Sequence, residues 1–266
     1  MEKTTVVITG STRGLGFRMA QEFLSHSCAV LISGRTEDAV QAALALLKKD
    51  VPEANVYGFP CDTRDASQVQ ALWDQAEKRL GKVDHWINNA GIGQPIRSIW
   101  DVSPDVVEDV FRTNVLGVLS GARVAMRGMM QRNSGSIWFM EGHGSDGSIR
   151  RGLSVYGASK RALRYVARAL AVEAKGTGIL VGALSPGIMV TDFTMRQLDR
   201  TNREEWERTK RVFNILADKP ETVAVFLVPR ILAARKSGMF IAWLKNTKIM
   251  WRFMTAGITK RRVIEE

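Results

Sequence analysis

The sequence predicts an α/β fold, a parallel sheet covered by helices, built as a single domain over residues 1–266. Three observations carry this. Short runs rich in Val and Ile alternate with helical stretches as far as Asp192, the pattern of strand–helix–strand units in a parallel sheet. The first run ends in a glycine-rich turn that opens a helix, the context in which such a turn has structural meaning. Polar residues gather just after the strands, at the edge where parallel sheets bind ligands.

Thr4–Thr9 is the first strand, closing at Gly10, and Ser11, Thr12, Arg13, Gly14, Leu15 and Gly16 form the turn before a helix to about Ser25. Glycines here let the backbone approach a pyrophosphate, whose charge meets the helix N-terminus. Gly10 to Gly16 are therefore candidate cofactor-binding residues, although their spacing is GxxxGxG and not GxGxxG. The second strand, Ala29–Ser33, leads into Gly34-Arg35-Thr36. NAD sites usually place an acid at this point to hold the ribose hydroxyls. This chain has Arg35 instead, with Arg13 in the turn, and two guanidinium groups suit a 2′-phosphate. NADPH is expected over NADH, the alternative being that Glu37 or Asp38 reaches the ribose and Arg35 is solvated.

Helix Thr36–Lys49, strand Asn55–Pro60, helix Ala66–Leu80 and strand Val83–Asn88 continue the alternation. Asp62 and Thr63 follow the third strand, where an adenine amino group could be held, and Asn89, Ala90 and Gly91 follow the fourth. Asn114 lies in a helical stretch from about Thr113 to Arg132. It is read as holding a water or fixing the main chain near Lys160, or as a capping or core-satisfying residue. The fifth strand, Ser136–Met140, runs into the glycine-dense loop Glu141–Gly147. The sixth, Ile179–Leu184, ends in a Pro186-Gly187 turn able to lay backbone along a nicotinamide. Met189 lies in the same turn, and Thr191 is placed to reach a carboxamide or phosphate.

Tyr156 and Lys160 stand four apart at the head of a breaker-poor helical run, Tyr156 to Lys175, so both leave one face of its first turn. An ammonium beside a phenol favours phenolate and lowers the tyrosine pKa from about 10. Such a tyrosine can pass a proton to or from a carbonyl oxygen near neutral pH. The alternative is a chance pair on a helix surface.

After Asp192 the regularity fails. Phe193–Arg211 reads as one or two short helices forming a lid; its Phe193, Met195 and Trp206, with Phe213 beyond it, are read either as packing a substrate or as ordinary core and lid residues. Asp218-Lys219-Pro220-Glu221 starts a further helix with Asp218 as an acid cap, reaching about Ala234 with a kink at Pro229. Met239–Trp243 is a last strand. The tail, Lys245–Glu266, combines Trp251 and Phe253 with Arg252, Lys260, Arg261 and Arg262. It is read either as docking on an anionic membrane or as folded onto the domain or a partner subunit.

The formal net charge is +11. The cations are dispersed, and no zinc-finger, helix-turn-helix or aromatic RNA-binding motif accompanies them, so no nucleic-acid partner is expected. Cys28 and Cys61 read as buried free thiols of a reducing compartment, and no metal site is expected. No apolar run of about eighteen residues is present. The first strand begins almost at once, so no targeting peptide is expected. A cytoplasmic location follows, peripheral at a membrane if the tail docks there, with a trimmed chloroplast precursor left open.

Taken in this order, Thr9-Gly10-xxx-Gly14-x-Gly16, Asn88-Asn89-Ala90-Gly91, Asn114, Tyr156-xxx-Lys160 and Pro186-Gly187 resemble the short-chain dehydrogenase/reductase family over roughly residues 4–192. The resemblance implies one Rossmann-like, doubly wound sheet of about seven strands. Residues 1–192 would form the cofactor-binding and catalytic core, and residues 193–266 the lid and tail. It implies Tyr156 as acid/base, Lys160 as ribose ligand and depressor of the tyrosine pKa, and Asn114 as anchor of a relay water. It also implies a homo-oligomer, dimer or tetramer. The family's serine, thirteen residues before the tyrosine, is His143 here. Ser145, two residues on, is the favoured carbonyl-polarising donor, with His143 as the alternative.

A narrower resemblance, to chlorophyll(ide) b reductases, rests on Phe139–Gly147, Ser185–Asp192, Phe213-Asn214-Ile215, Pro220–Ala224, Leu227–Arg230 and the tail around Arg252-Phe253 and Val263–Glu266. It implies reduction of the C7 formyl of chlorophyll b or chlorophyllide b. His143, Trp138 and Glu141 depart from that pattern. A reductase of another bulky carbonyl (steroid, polyketide or acyl thioester) and a nucleotide-binding regulator without turnover are the competing readings.

Overall fold

The computed structural model describes residues 3–195, 203–259 and 261–264. Seven parallel strands form one sheet in the order β3-β2-β1-β4-β5-β6-β7. They are β1 Thr5–Ile8, β2 Ala29–Gly34, β3 Val56–Pro60, β4 His85–Asn88, β5 Gly135–Met140, β6 Ile179–Ser185 and β7 Met239–Ala242. The helices are α1 Gly14–Ser25, α2 Glu37–Asp50, α3 Ala66–Leu80, α4 Pro104–Phe111, α5 Val118–Arg132, α6 Ser154–Glu173, α7 Asp192–Met195, α8 Arg203–Leu216, α9 Pro220–Leu232 and α10 Asn246–Thr259. The winding reverses between β1 and β4, so the C-terminal ends of those strands flank a crevice.

All residues of β1 and β2 are buried, as parallel strands covered on both faces require. One core layer joins α1, α2 and α9 to the sheet through Phe23, Leu47, Trp138 and Leu227. The other joins α3, α5 and α6 through Leu72, Trp86, Met129 and Leu163. The buried indoles keep hydrogen-bond partners: Trp86 donates to Asn88 Oδ1 at 2.9 Å and Trp138 to Ser136 Oγ at 2.8 Å. Two helix starts follow capping chemistry. Thr36 accepts from the Ala39 N–H, and Asp65 from the Ser67 and Gln68 N–H groups.

The structure differs from the sequence reading in three places. The helix carrying Asn114 begins not as α-helix but as a π-helical turn over Arg112–Gly117, preceded by α4, which the sequence reading did not assign. The tail is itself a helix, α10. Asp218 does not cap α9: Lys219 holds the N-cap position, and no side chain bonds there. Instead Asp218 is buried and accepts from Arg252 at 2.7 and 3.0 Å, Arg261 at 2.7 Å and Trp243 Nε1 at 2.7 Å. Charged donors outbid a helix terminus for a carboxylate. Arg252 and Arg261 also donate to the carbonyls of Ile215, Leu216 and Ala217, so the helical part of the tail is folded onto the domain. Pro229 lies inside α9, near its C-terminal end. Lys260, Glu265 and Glu266 lie outside the described residues.

Burial raises the Asp218 pKa, but hydrogen bonds from Arg252 and Trp243 and the charges of Arg252 and Arg261 outweigh it, holding the carboxyl below its ordinary value. Its stabilisation is therefore present above about pH 4 and is lost as pH falls through the lower folded value. Asp218→Asn should cost about 3 kcal/mol at pH 7, because Arg252 is left buried without its counter-charge. The gap from wild type should narrow in acid, as the native carboxyl begins to take up its proton. Urea unfolding at pH 7 and at pH 3 measures both.

Candidate active site

A cleft of about 610 Å³ opens over the C-terminal ends of the strands. Its walls bring together the turn after β1, Arg35 after β2, Asp62 and Thr63 after β3, Asn89–Gly91 after β4, His143 after β5, Tyr156 and Lys160 from α6, and Pro186–Thr191 after β6. These positions are far apart in the chain and meet because every parallel strand delivers its loop to one edge.

At one end the chain approaches itself closely. Gly10 has φ +61°, and a Cβ there would stand 2.7 Å from the Ala90 Cα. A Cβ at Gly16 would stand 2.7 Å from the Gly10 carbonyl oxygen and crowd Asn89 Nδ2, whose amide donates to the carbonyls of Thr9 and Gly10 at 2.9 and 2.8 Å. Gly14, with φ +59°, has no atom within 4 Å of its missing Cβ, so its backbone is open to the cleft. No side chain caps α1, and no acid lies in its first turn. Its N–H groups therefore face the cleft ready for an anion. Arg13 and Arg35 are exposed and have no ion-pair partner among the described residues. These features fit a dinucleotide with its pyrophosphate at Gly14. Neither Glu37 nor Asp38 lines the cleft.

Ser11 lies outside the cleft. Its hydroxyl donates to Ile8 O at 2.6 Å and accepts from Ser33 N–H at 2.9 Å, tying β1 to β2. Asp62 lines the cleft, but its carboxylate is held by Arg64, which also donates to Asp109 at 2.8 Å.

At the other end Tyr156 and Lys160 are both buried, with 8% and 4% exposure. The Lys160 ammonium donates to Met140 O at 3.1 Å and lies 5.8 Å from the Tyr156 ring centre. Burial lowers the Lys160 pKa to about 8, against the opposing pull of Glu141. The sequence reading expected Lys160 to depress the tyrosine. In the folded chain burial dominates, and the Tyr156 pKa is raised above its ordinary value. The phenol therefore holds its proton.

Gly142 lies against this pair: a Cβ there would overlap the Tyr156 hydroxyl. His143, the next residue, is exposed and lines the cleft. Burial and the nearby Arg150 charge lower its pKa, with Asp146 opposing, so the imidazole is neutral at pH 7. Ser145, the favoured donor from sequence, does not line the cleft. It is buried and donates to Glu141 Oε2 at 2.7 Å. Glu141 in turn accepts from Arg164 at 3.0 and 2.8 Å. A buried carboxylate needs these donors, and the serine is spent on it.

Asn114 is wholly buried. Its Nδ2 donates to Ile92 O and Ser159 Oγ, and its Oδ1 accepts from Ile92 N–H. Both amide donors are used, so the side chain fixes the main chain after β4, one of the alternatives left open by the sequence. The π-helical turn that carries it is a feature often found at functional sites. Sequence reasoning missed Gln94. Its Oε1 accepts from the Tyr156 N–H at 2.6 Å and its Nε2 donates to Gly152 O at 2.9 Å, bracing the start of α6. Nothing in the spacing around Gln94 points to this, because the contact spans 62 residues.

In the C-terminal third, Phe213 and Thr194 reach the cleft wall. Met195 and Trp206 pack with Ile188 and Val190 against the small cluster of Phe213, Ala217 and Ile264. The Phe193 side chain lies outside the described residues.

A doubly wound sheet, a glycine turn opening α1 and a tyrosine–lysine pair across one cleft define a nucleotide-dependent oxidoreductase. The family model for short chain dehydrogenases matches residues 4–202, and the chain belongs to that family of NAD(P)-dependent oxidoreductases. Relatives include a probable chloroplastic chlorophyll(ide) b reductase of Oryza sativa subsp. japonica, 34% identical, with 98% of this chain and 54% of that protein aligned. A chloroplastic chlorophyll(ide) b reductase of Arabidopsis thaliana is 33% identical, with 98% and 77% aligned. This chain thus spans about half the length of the rice relative. Among solved structures, levodione reductase superposes with a TM-score of 0.83 at 24% identity, covering 92% of this chain and 97% of the other. Actinorhodin polyketide ketoreductase with NADPH gives 0.80 at 24%, covering 91% and 95%. No described helix is long and apolar enough to cross a membrane.

Proposed function

We propose that this chain is an NADPH-dependent carbonyl reductase acting on the C7 formyl of chlorophyll b or chlorophyllide b, giving the 7-hydroxymethyl product. What carries the reading is that its likeness to chlorophyll(ide) b reductases extends over 98% of the chain, including the C-terminal third that closes the cleft. The reaction takes an aldehyde, NADPH and a proton to a primary alcohol and NADP+.

NADPH supplies the hydride. The chain's own residues hold and complete the reaction. The Gly10–Gly16 turn and the α1 N-terminus would receive the pyrophosphate, Arg13 and Arg35 the 2′-phosphate, and Lys160 the ribose hydroxyls near the reacting end. Tyr156, kept protonated by burial, donates its proton to the carbonyl oxygen as negative charge develops there. His143 takes the place of the family's serine as hydrogen-bond donor to that oxygen, since its neutral imidazole carries one N–H. Asn114, Ser159 and Gln94 brace the Tyr156 backbone.

Product analysis after incubation with chlorophyllide b and NADPH is the direct test; absence of the 7-hydroxymethyl product would remove this substrate. Tyr156→Phe should abolish turnover and leave NADPH affinity within about twofold. His143→Ala should lower kcat by about 100-fold, the range for losing one oxyanion donor, and Ser145→Ala by less; the reverse order reassigns the donor.

A buried ammonium titrating near 8 is charged below that pH and neutral above it. kcat/KM for the cofactor, which reports free-enzyme groups, should fall as pH rises through about 8. Lys160→Met should give a low, flat profile. Arg35→Asp should move the preference toward NADH, read as the ratio of kcat/KM for the two nucleotides.

A further inference from the structure

The cleft walls hold four carboxylates, Asp62, Asp109, Glu141 and Glu221. Each is already matched by an arginine. Asp62 and Asp109 share Arg64, Glu141 is gripped by Arg164, and Glu221 lies 2.8 Å from Arg18. The uncompensated charge of the cleft is therefore positive. Arg13 and Arg35 stand at the nucleotide end, and Lys160 is held on Met140 O. That leaves Arg150.

Arg150 lines the cleft from the loop between β5 and α6. The same loop carries Gly142, which lies against the Tyr156 hydroxyl, and His143, both of which line the cleft with it. Its guanidinium has no hydrogen-bond or ion-pair partner among the described residues. The segment that carries it is braced. The Arg150 carbonyl accepts from Leu153 N–H at 3.2 Å, and the Gly152 carbonyl accepts from Gln94 at 2.9 Å and from Arg97 N–H at 3.2 Å. Gly152 has φ +81°, and a Cβ there would stand 2.7 Å from Ile96. A planar guanidinium on such a wall presents a fork that matches a carboxylate, and the cleft supplies none that is free.

Resting on the carbonyl-reductase reading, we infer that Arg150 is a specificity residue that binds a carboxylate on the substrate, so that the enzyme takes a free acid in preference to its ester. For the macrocycle proposed above, that is chlorophyllide b with its free propionate, not chlorophyll b, in which phytol esterifies that group.

The test compares chlorophyllide b with its methyl ester, the same ring without the charge. Wild type should favour the acid in kcat/KM by at least about tenfold, the worth of a hydrogen bond to a charged group, with the difference falling on KM. In Arg150→Gln the acid-to-ester ratio should drop to about one, and Arg150→Lys should restore part of it. Equal use of acid and ester by wild type, or an unchanged ratio in Arg150→Gln, overturns the inference while leaving the proposed reaction intact. If neither macrocycle is reduced, the proposed substrate fails, and 4-formylbenzoate against its methyl ester decides the same question. A preference for the acid that disappears in Arg150→Gln supports the inference, and equal or absent reduction overturns it.

Discussion

Lys160 keeps an ammonium inside the protein, and the surrounding structure answers to that cost. Its charge is met by the Met140 carbonyl at the end of β5 and by the Glu141 carboxylate beyond it. Arg164 grips both oxygens of Glu141, and Ser145 adds a third bond. The glycine at 142 then lets Tyr156 lie flush against the same loop. A phenol buried there is a weaker acid than one in water, so it stays protonated at neutral pH.

This network engages the Ser145 hydroxyl. Ser145 donates to Glu141 and does not line the cleft, whereas His143 does. A histidine kept neutral by its surroundings can still donate one hydrogen bond, with a bulkier and more pH-sensitive group than a hydroxyl.

Asp218 performs a comparable service at the far edge. Its backbone pairs with the turn after β6, through Asp218 N–H to Ile188 O at 3.0 Å and Val190 N–H to Asp218 O at 3.1 Å. Its carboxylate holds Arg252, Arg261 and Trp243. One residue thus joins the cleft wall to the helical tail. The face of α10 bearing Met250, Trp251, Met254 and Ile258 is left exposed, while Arg252, counted among the tail's basic residues from sequence, is buried.

The sequence by itself determined the alternating fold, the strand ends, the glycine turn and the Tyr156–Lys160 pair, because periodicity, turn chemistry and helical spacing are local properties of the chain. Only the tertiary structure decided the roles that depend on distant partners. Ser11 and Ser145 turn away from the cleft, Gln94 braces Tyr156 across 62 residues, and Asp218 abandons a cap for two arginines. It also set the sign of the Tyr156 shift. A neighbour four residues away can be read from spacing, but desolvation depends on everything packed around the group, and burial is what raises the Tyr156 pKa.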